Sequence, residues 1–573
     1  MKSFNSIVAE LKACSRIMDG TARDRKLLFI KAAEECEPEH ARDLVDWHET
    51  LLFMAAFPDD AEVSQHAERA LARTRGIVEA MRGRLGPRDM RSLANSGLAG
   101  TSLDCSFTLD GLRWLAHRFP RDVDVIWDDE SLGSEFESIL SSLVCPVEYD
   151  GLLDPNLSVR DWLKLGGVKN STLRWIVDQF DRLRPSRCRD APLLDRLFDQ
   201  LELHVRWSLR DPLASRTTCR FPKRPLFAHA PGGQVVPSPP PIAEVVSAPL
   251  PAASKLTIVQ SKQLLDVARA ALASRSRETD PVTYAEPRDV TLLQLERGID
   301  ILLMGMTPER RLPIEGFIGH MVAKNRVPIA YGGGWVAFDV CTIGINLFET
   351  FRGGESAHVF AQILRAFRDT FNVRTFRVDP YQYGEGNEEA IRSGAFWFYY
   401  RFGFRPVDPD IRELASREAA KIAADRTHRT SLVMLRRFAT GGLQLDLVDR
   451  DKNVPPMVDT TRLSLAATRW IARHKDGDRA AAQASAVRTV SRALGVTSVK
   501  SWPQSEQDSF ASLAVIMAMI PDLSRWSRQD RLRLVALMRA KGGPWETAYL
   551  HRLRLHPTLQ AACAGIANQV RLG

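Results

Sequence analysis

A chain of 573 residues is longer than one hydrophobic core fills, so about three to four domains are expected. Its 45% hydrophobic and 26% charged content excludes a disordered or fibrous class and fits an ordinary soluble protein. The net charge of +8 is mild for this length, and the basic residues are interleaved with acidic ones, as in ARDRK and RDMR. That pattern reads as solvated helix faces, with a weakly basic surface for nucleic acid or an anionic ligand as the other reading.

The eight cysteines form no CxxC pair and no Cys/His group has zinc spacing, so neither a metal site nor a disulfide framework is expected. The N-terminus carries charges within its apolar pattern, unlike a signal peptide, and no apolar run is long enough to span a membrane. A reduced, cytoplasmic protein is the expectation.

In chain order, residues 1–220 read as a mainly helical N-terminal region with a break near 120. Apolar positions at Ile7, Val8, Leu11, Cys14, Ile17 and Met18 have helical spacing, and 22–36, 41–57 and 61–81 repeat it. Residues 123–127 read as a short strand, and 159–165 and 171–183 as helices. His48 lacks a second histidine four residues on, so it reads as a capped or surface residue, not a metal ligand.

From 221 to 255 the chain is proline-rich, including Pro239-Pro240-Pro241, and reads as an extended, partly polyproline linker. Residues 256–450 read as an α/β domain, opened by a helix from Leu256 to Ser274. Next are expected a strand at 281–284 and a helix at 290–303. A meander follows: strands 316–323 and 327–331, turned at Lys324-Asn325-Arg326, then Gly332-Gly333-Gly334 as a turn and a strand at 342–348. Beyond a boundary at Val454-Pro455-Pro456, residues 457–573 read as a helical domain with Trp470, Trp502, Trp526 and Trp545 as core aromatics.

Within the α/β region, Phe351-Arg352-Gly353-Gly354-Glu355-Ser356-Ala357 joins a strand to the helix 358–371. A helix start offers free amides and a positive dipole end, and small residues let a diphosphate approach them. A strand at 373–378 follows, then GNEEAIRSGAFWFYYRFGFRP.

Over about residues 280–410 this order of motifs resembles the GNAT superfamily of N-acetyltransferases. Arg352 and Ala357 match the ends of that family's loop pattern, and Asn387, Ala390, Tyr399, Gly403 and Phe404 match its second motif. The resemblance implies a mixed, mainly antiparallel sheet with helices on both faces. It further implies acetyl-CoA or another acyl-CoA as cosubstrate, without a metal, and an amine-bearing small molecule or protein as acceptor. Carried over, the amides of Gly353, Gly354, Ser356 and Ala357, with Arg352, would hold the diphosphate. Leu347 would pair with the pantetheine, and Asn387 would contact the cofactor. Tyr399 would protonate the leaving thiolate, and Glu349, at the end of the preceding strand, would serve as base through water. Asp339, Asp379 and Glu385 are other base candidates.

Two features depart from the family pattern. Glu355 replaces the loop's central glycine, and the interval from Asn387 to Tyr399 is longer than usual. The rival reading is a non-catalytic interaction protein carrying a degenerate form of this fold. No recognisable nucleic-acid module supports a third reading, a nucleic-acid-associated factor.

Overall fold

The computed structural model describes residues 2–127, 135–154, 156–168, 171–183, 191–229, 233–234, 242–425, 427–448 and 456–570. They form a multidomain α/β protein: a mixed eight-stranded sheet, two small sheets and many helices. No helix among them is long and apolar enough to cross a membrane.

N-terminal helices, among them α1 (Ala41–Ala56), precede α2 (Ile258–Ala273), which opens with a Thr257/Gln260 capping box. The large sheet is built from β1 (Ala285–Gln294), β2 (Ile299–Met306), β3 (Gly316–Lys324), β4 (Val327–Ala337) and β5 (Val340–Leu347). After α3 (Ser356–Phe371) come β6 (Thr375–Val378), α4 (Glu388–Ser393), α5 (Ala395–Arg401), β7 (Arg405–Pro406) and β8 (Leu443–Asp446). The strand order is β7-β8-β6-β5-β4-β3-β2-β1. Every neighbouring pair is antiparallel except β5 and β6.

Three sequence expectations change here. Residues 280–283 form a helical turn, not a strand, and 290–303 belong to the β1–β2 hairpin, not to a helix. The hairpin turns through Arg297 and Gly298, both left-handed (φ 57° and 69°), so an Arg-Gly pair does the work for which Asn-Gly is the usual signal. Every residue of β2 is buried, which removes the polar alternation that marks a strand. The triple glycine is strand, not turn. A Cβ on Gly332 would lie 2.2 Å from the carbonyl oxygen of Gly344, and one on Gly334 would lie 2.4 Å from the Phe367 ring, so bare backbone lets α3 and β5 close on β4.

The expected linker is partly welded down. The amide of Phe221 donates to the carbonyl of Arg326 at 2.8 Å, and that of Phe227 to Asn325 Oδ1 at 2.9 Å. Asn325 Nδ2 in turn donates to Ala56 O at 2.9 Å and Phe227 O at 2.8 Å. The tip of the β3–β4 hairpin is thus gripped by the end of α1 and by residues 221–229. Residues 242–247 are helical, and 235–241, with Pro239-Pro240-Pro241, lie outside the described residues.

One hydrophobic core runs through the N-terminal helices, the sheet and the C-terminal helices; residues 103–209 make a second core around a three-stranded sheet. The C-terminal helices include α6 (Arg528–Lys541) and α7 (Glu546–Arg554). They dock through buried polar contacts: Glu546 Oε2 accepts from the Met306 amide at 3.1 Å, and the Tyr549 hydroxyl donates to Ile314 O at 2.6 Å. The four expected core tryptophans are only partly buried, and Trp545 is 49% exposed. Leucine, alanine and Phe510 fill that interior instead.

His48 is fully buried, not at the surface, because Thr217 Oγ1 (2.9 Å) and Glu49 (3.1 Å) satisfy its ring. Burial lowers the His48 pKa to about 4 and that of His320, wedged between sheet and α3, to about 3. Both are neutral when folded and take up a proton on unfolding below about 6.5. Stability is therefore retained above that pH and lost as pH falls toward 4. The expected result is a urea midpoint that drops between pH 7 and pH 4.5, by less in His320→Met; an equal drop in both proteins removes His320 from the effect.

Gly332→Ala should cost about 1–3 kcal/mol, since the atom it meets is backbone. Gly441→Ala, which meets nothing within 4 Å, should stay within about 0.5 kcal/mol of wild type. Urea unfolding compares them.

Candidate active site

Strands β5 and β6 pair side by side over three residue pairs only, from Val340–Thr375 to Thr342–Arg377. Beyond that point β5 runs on to Leu347 beside β4 alone, while β6 ends at Val378 and the chain swings into a short helix at Pro380–Tyr383. Strand β6 therefore stops where β5 continues, and α3 begins at the gap this leaves beside β5. A cleft of about 1320 Å³ fills it.

Leu347, Glu349, Arg352, Gly353, Ser356, Ala357, Asn387 and Tyr399 all line this cleft. Gly354 does not: it is buried, and a Cβ there would meet the Phe57 ring at 3.0 Å. Gly353 holds φ +76°, which a side chain tolerates poorly. The first-turn amides of α3, at Ser356 and Ala357, have no acceptor within the helix. Asn387 caps α4, accepting from the Ala390 amide at 3.1 Å and donating to Tyr381 O at 3.2 Å, so its side chain is already engaged. Arg352 is exposed and pairs with Glu389 across the mouth.

Glu355 turns away from the cleft. Its carboxylate accepts from Lys324 Nζ at 2.6 Å and pairs with Arg297 on the other side; it is 4% exposed and Lys324 is fully buried. Burial and the nearby Arg297 and Arg224 push the lysine pKa down to about 6. The carboxylate and the carbonyl of Arg297, both at 2.6 Å, favour the ammonium form.

Tyr399 is 4% exposed, held by the rings of Phe360, Tyr383, Phe398 and Phe404. Its hydroxyl has no hydrogen-bond partner among the described residues, and burial raises its pKa above the ordinary phenol value. The aromatic run divides its work. Phe396 and Trp397 pack on Phe438, while Phe398 and Tyr399 face the cleft. The long Asn387–Tyr399 interval resolves into two helices broken at Gly394 (φ 67°), and Ser393, Gly394 and Ala395 line the wall. Glu349 is exposed on the cleft floor. Of the other base candidates, Asp379 caps the Pro380–Tyr383 turn and Glu385 is exposed outside the lining. Asp339 lies at the opposite end of β5.

Nothing in the sequence pattern pointed to the far wall, which comes from the N-terminal region. Glu49 on α1 takes Arg216 at 3.1 Å, His48, and the hydroxyl of Thr350, and these contacts hold its carboxyl well below the usual range. The adjacent residues of DWHETLLF carried the clue, but only a metal reading of His48 was natural there. Arg275 stacks on the Phe348 ring at 4.1 Å, and burial and Arg216 lower its pKa to about 9. Arg16 Nη1 donates to Arg352 O at 2.9 Å. Three lining acids are paired with cations: Asp46 with Lys12, Glu49 with Arg216, and Glu389 with Arg352. That leaves Arg16, Arg275, Arg277 and Arg401 against Glu349, so the lining is net positive.

No family model matches the chain, and comparison with curated proteins and with solved structures found no match.

Removing one partner of the buried pair leaves an uncompensated charge. Glu355→Ala should therefore destabilise by about 3–5 kcal/mol, and Lys324→Met/Glu355→Leu should recover most of that. If calorimetric melting shows the double variant no better than the single, the pair is not what holds this turn.

Proposed function

We propose that the chain is a CoA-dependent N-acyltransferase with a GNAT-like central domain, passing an acyl group from a CoA thioester to an amine. The observation that carries this reading is the stretch of β5 left without a partner where β6 ends, with the free amides of α3 at the opening. Supporting it are the mixed, mainly antiparallel character of the sheet, which is what the resemblance implies, and the positive lining of the cleft. The withdrawal of Glu355 onto Lys324 removes the main objection to a diphosphate at the helix start. A cleft of about 1320 Å³ exceeds the range of about 300–1,000 Å³ usual for one small ligand, which leaves room for two substrates.

The thioester supplies an activated acyl carbon. Ser356 and Ala357 amides, with Gly353 and Arg352, bind the diphosphate. Leu347 lies on the stretch of β5 that has no partner on its β6 side, where pantetheine amides add as a strand. Glu349 takes the proton of the attacking amine through water as the N–C bond forms. Tyr399, kept protonated by its raised pKa, donates to the sulfur as the C–S bond breaks. The amine acceptor, a small molecule or a protein, enters beside α1 and Arg275.

Calorimetry with acetyl-CoA tests the reading. Micromolar binding is expected, weakened about tenfold or more by Ser356→Asp, a substitution that suits a helix start but repels a diphosphate. Tyr399→Phe should lower turnover by about 100-fold, read as CoA release with a panel of amines, at unchanged affinity. Absence of binding for every acyl-CoA tried would favour the inert, partner-binding reading instead.

A further inference from the structure

A second cleft, of about 590 Å³, lies at the other end of β5 and β6, where α6 and α7 meet the sheet. Four arginines line it: Arg374 just before β6, Arg533 on α6, and Arg552 and Arg554 on α7. They come from three separate stretches of chain, so no local repeat explains their convergence. None of the four has an ion-pair partner among the described residues. Their neighbour Arg539, also on α6, is paired with Glu506 at 2.6 Å.

Among the described residues the only acid in the lining is Asp339, which is buried and accepts from Gln560 Nε2 at 3.1 Å. Four guanidiniums against one carboxylate leave three positive charges. Arg374 and Arg554 are half-buried, and burial and the closeness of Arg374 lower the Arg554 pKa. Like charges are thus held together at a cost that a bound anion relieves.

We propose that this cleft binds a compact ligand carrying several phosphates in series, gripped by Arg374, Arg533, Arg552 and Arg554. Guanidinium forks match phosphate oxygens two at a time. A single carboxylate offsets one of the three charges and meets Asp339, whereas a phosphate chain offsets all three. The volume suits a small ligand.

The test is calorimetry of the full chain with sodium tripolyphosphate, alongside orthophosphate and a short oligothymidylate. Saturable tripolyphosphate binding is expected, stronger than orthophosphate binding and weakening with salt. Arg374→Gln/Arg554→Gln should lower affinity by about tenfold per arginine. Ser356→Asp, in the other cleft, should leave it unchanged, which separates this site from the acyltransferase reading. If that double variant melts early, Arg533→Gln/Arg552→Gln, both at exposed positions, is measured in its place. No tripolyphosphate binding, or binding indifferent to these arginines, overturns the proposal. So does binding of the oligonucleotide alone, which assigns the arginines to a nucleic-acid backbone.

Discussion

Glu355 stands where a helix begins and a cleft opens, and its side chain goes the other way. Left free, a carboxylate there would settle on the α3 amides, which attract any anion. Lys324 prevents this. It is fully buried at the end of β3, over the rings of Phe57 and Phe227 at 5.4 and 4.6 Å, and Glu355 is the carboxylate bonded to it. The lysine would be costly to desolvate alone, so the two charges hold each other behind the turn. The helix start is open to the cleft because a counter-ion was placed on its reverse side.

The same contact ties the cleft to the rest of the chain. Lys324 and Asn325 form the tip of the β3–β4 hairpin, and that tip is held by Ala56 at the end of α1 and by Phe227. Docking the tip sets α1 alongside the cleft. Glu49 then reaches both Arg216 and the Thr350 hydroxyl, so the turn after β5 is braced from the N-terminal side. The cleft therefore has one wall from the sheet and one from a region far away in sequence. A fragment limited to residues 256–450 would lose that wall and expose the apolar faces that continue one core across the boundary.

What could be read from sequence follows from what is local. The helix read at 358–371 and observed at Ser356–Phe371, the hairpin turn at 324–326 and the C-terminal helices came from periodicity and turn chemistry, which depend on near neighbours. The β1–β2 hairpin was hidden because β2 is buried along its whole length and the turn uses Arg297-Gly298. The triple glycine misled for a related reason: its purpose, close approach by α3 and β5, is tertiary. The cleft residues at 347–357 and 387–401 were legible as a turn and a helix, whereas those from the N-terminal region were not. The partner of Glu355 was not, because Lys324 lies 31 positions upstream and looks like an ordinary turn lysine. Arg352, three residues before Glu355, pairs with Glu389 instead.

Charge is where sequence and structure differ most. Read along the chain, acids and bases alternate, and the +8 excess is spread thinly over solvated helices. In three dimensions most pairs cancel locally, and the surplus is not uniform. Among the described residues, the large cleft keeps four guanidiniums without an ion-pair partner against Glu349, and the second cleft keeps four against Asp339. Each holds a surplus of three, a large share of the whole chain's excess. Low-dielectric walls strengthen the field of charges gathered in a concavity, whereas the same charges on a convex surface are screened within about 8 Å at physiological salt. Two positive concavities at opposite ends of β5 and β6 therefore attract anions more strongly than the nearly balanced composition suggests.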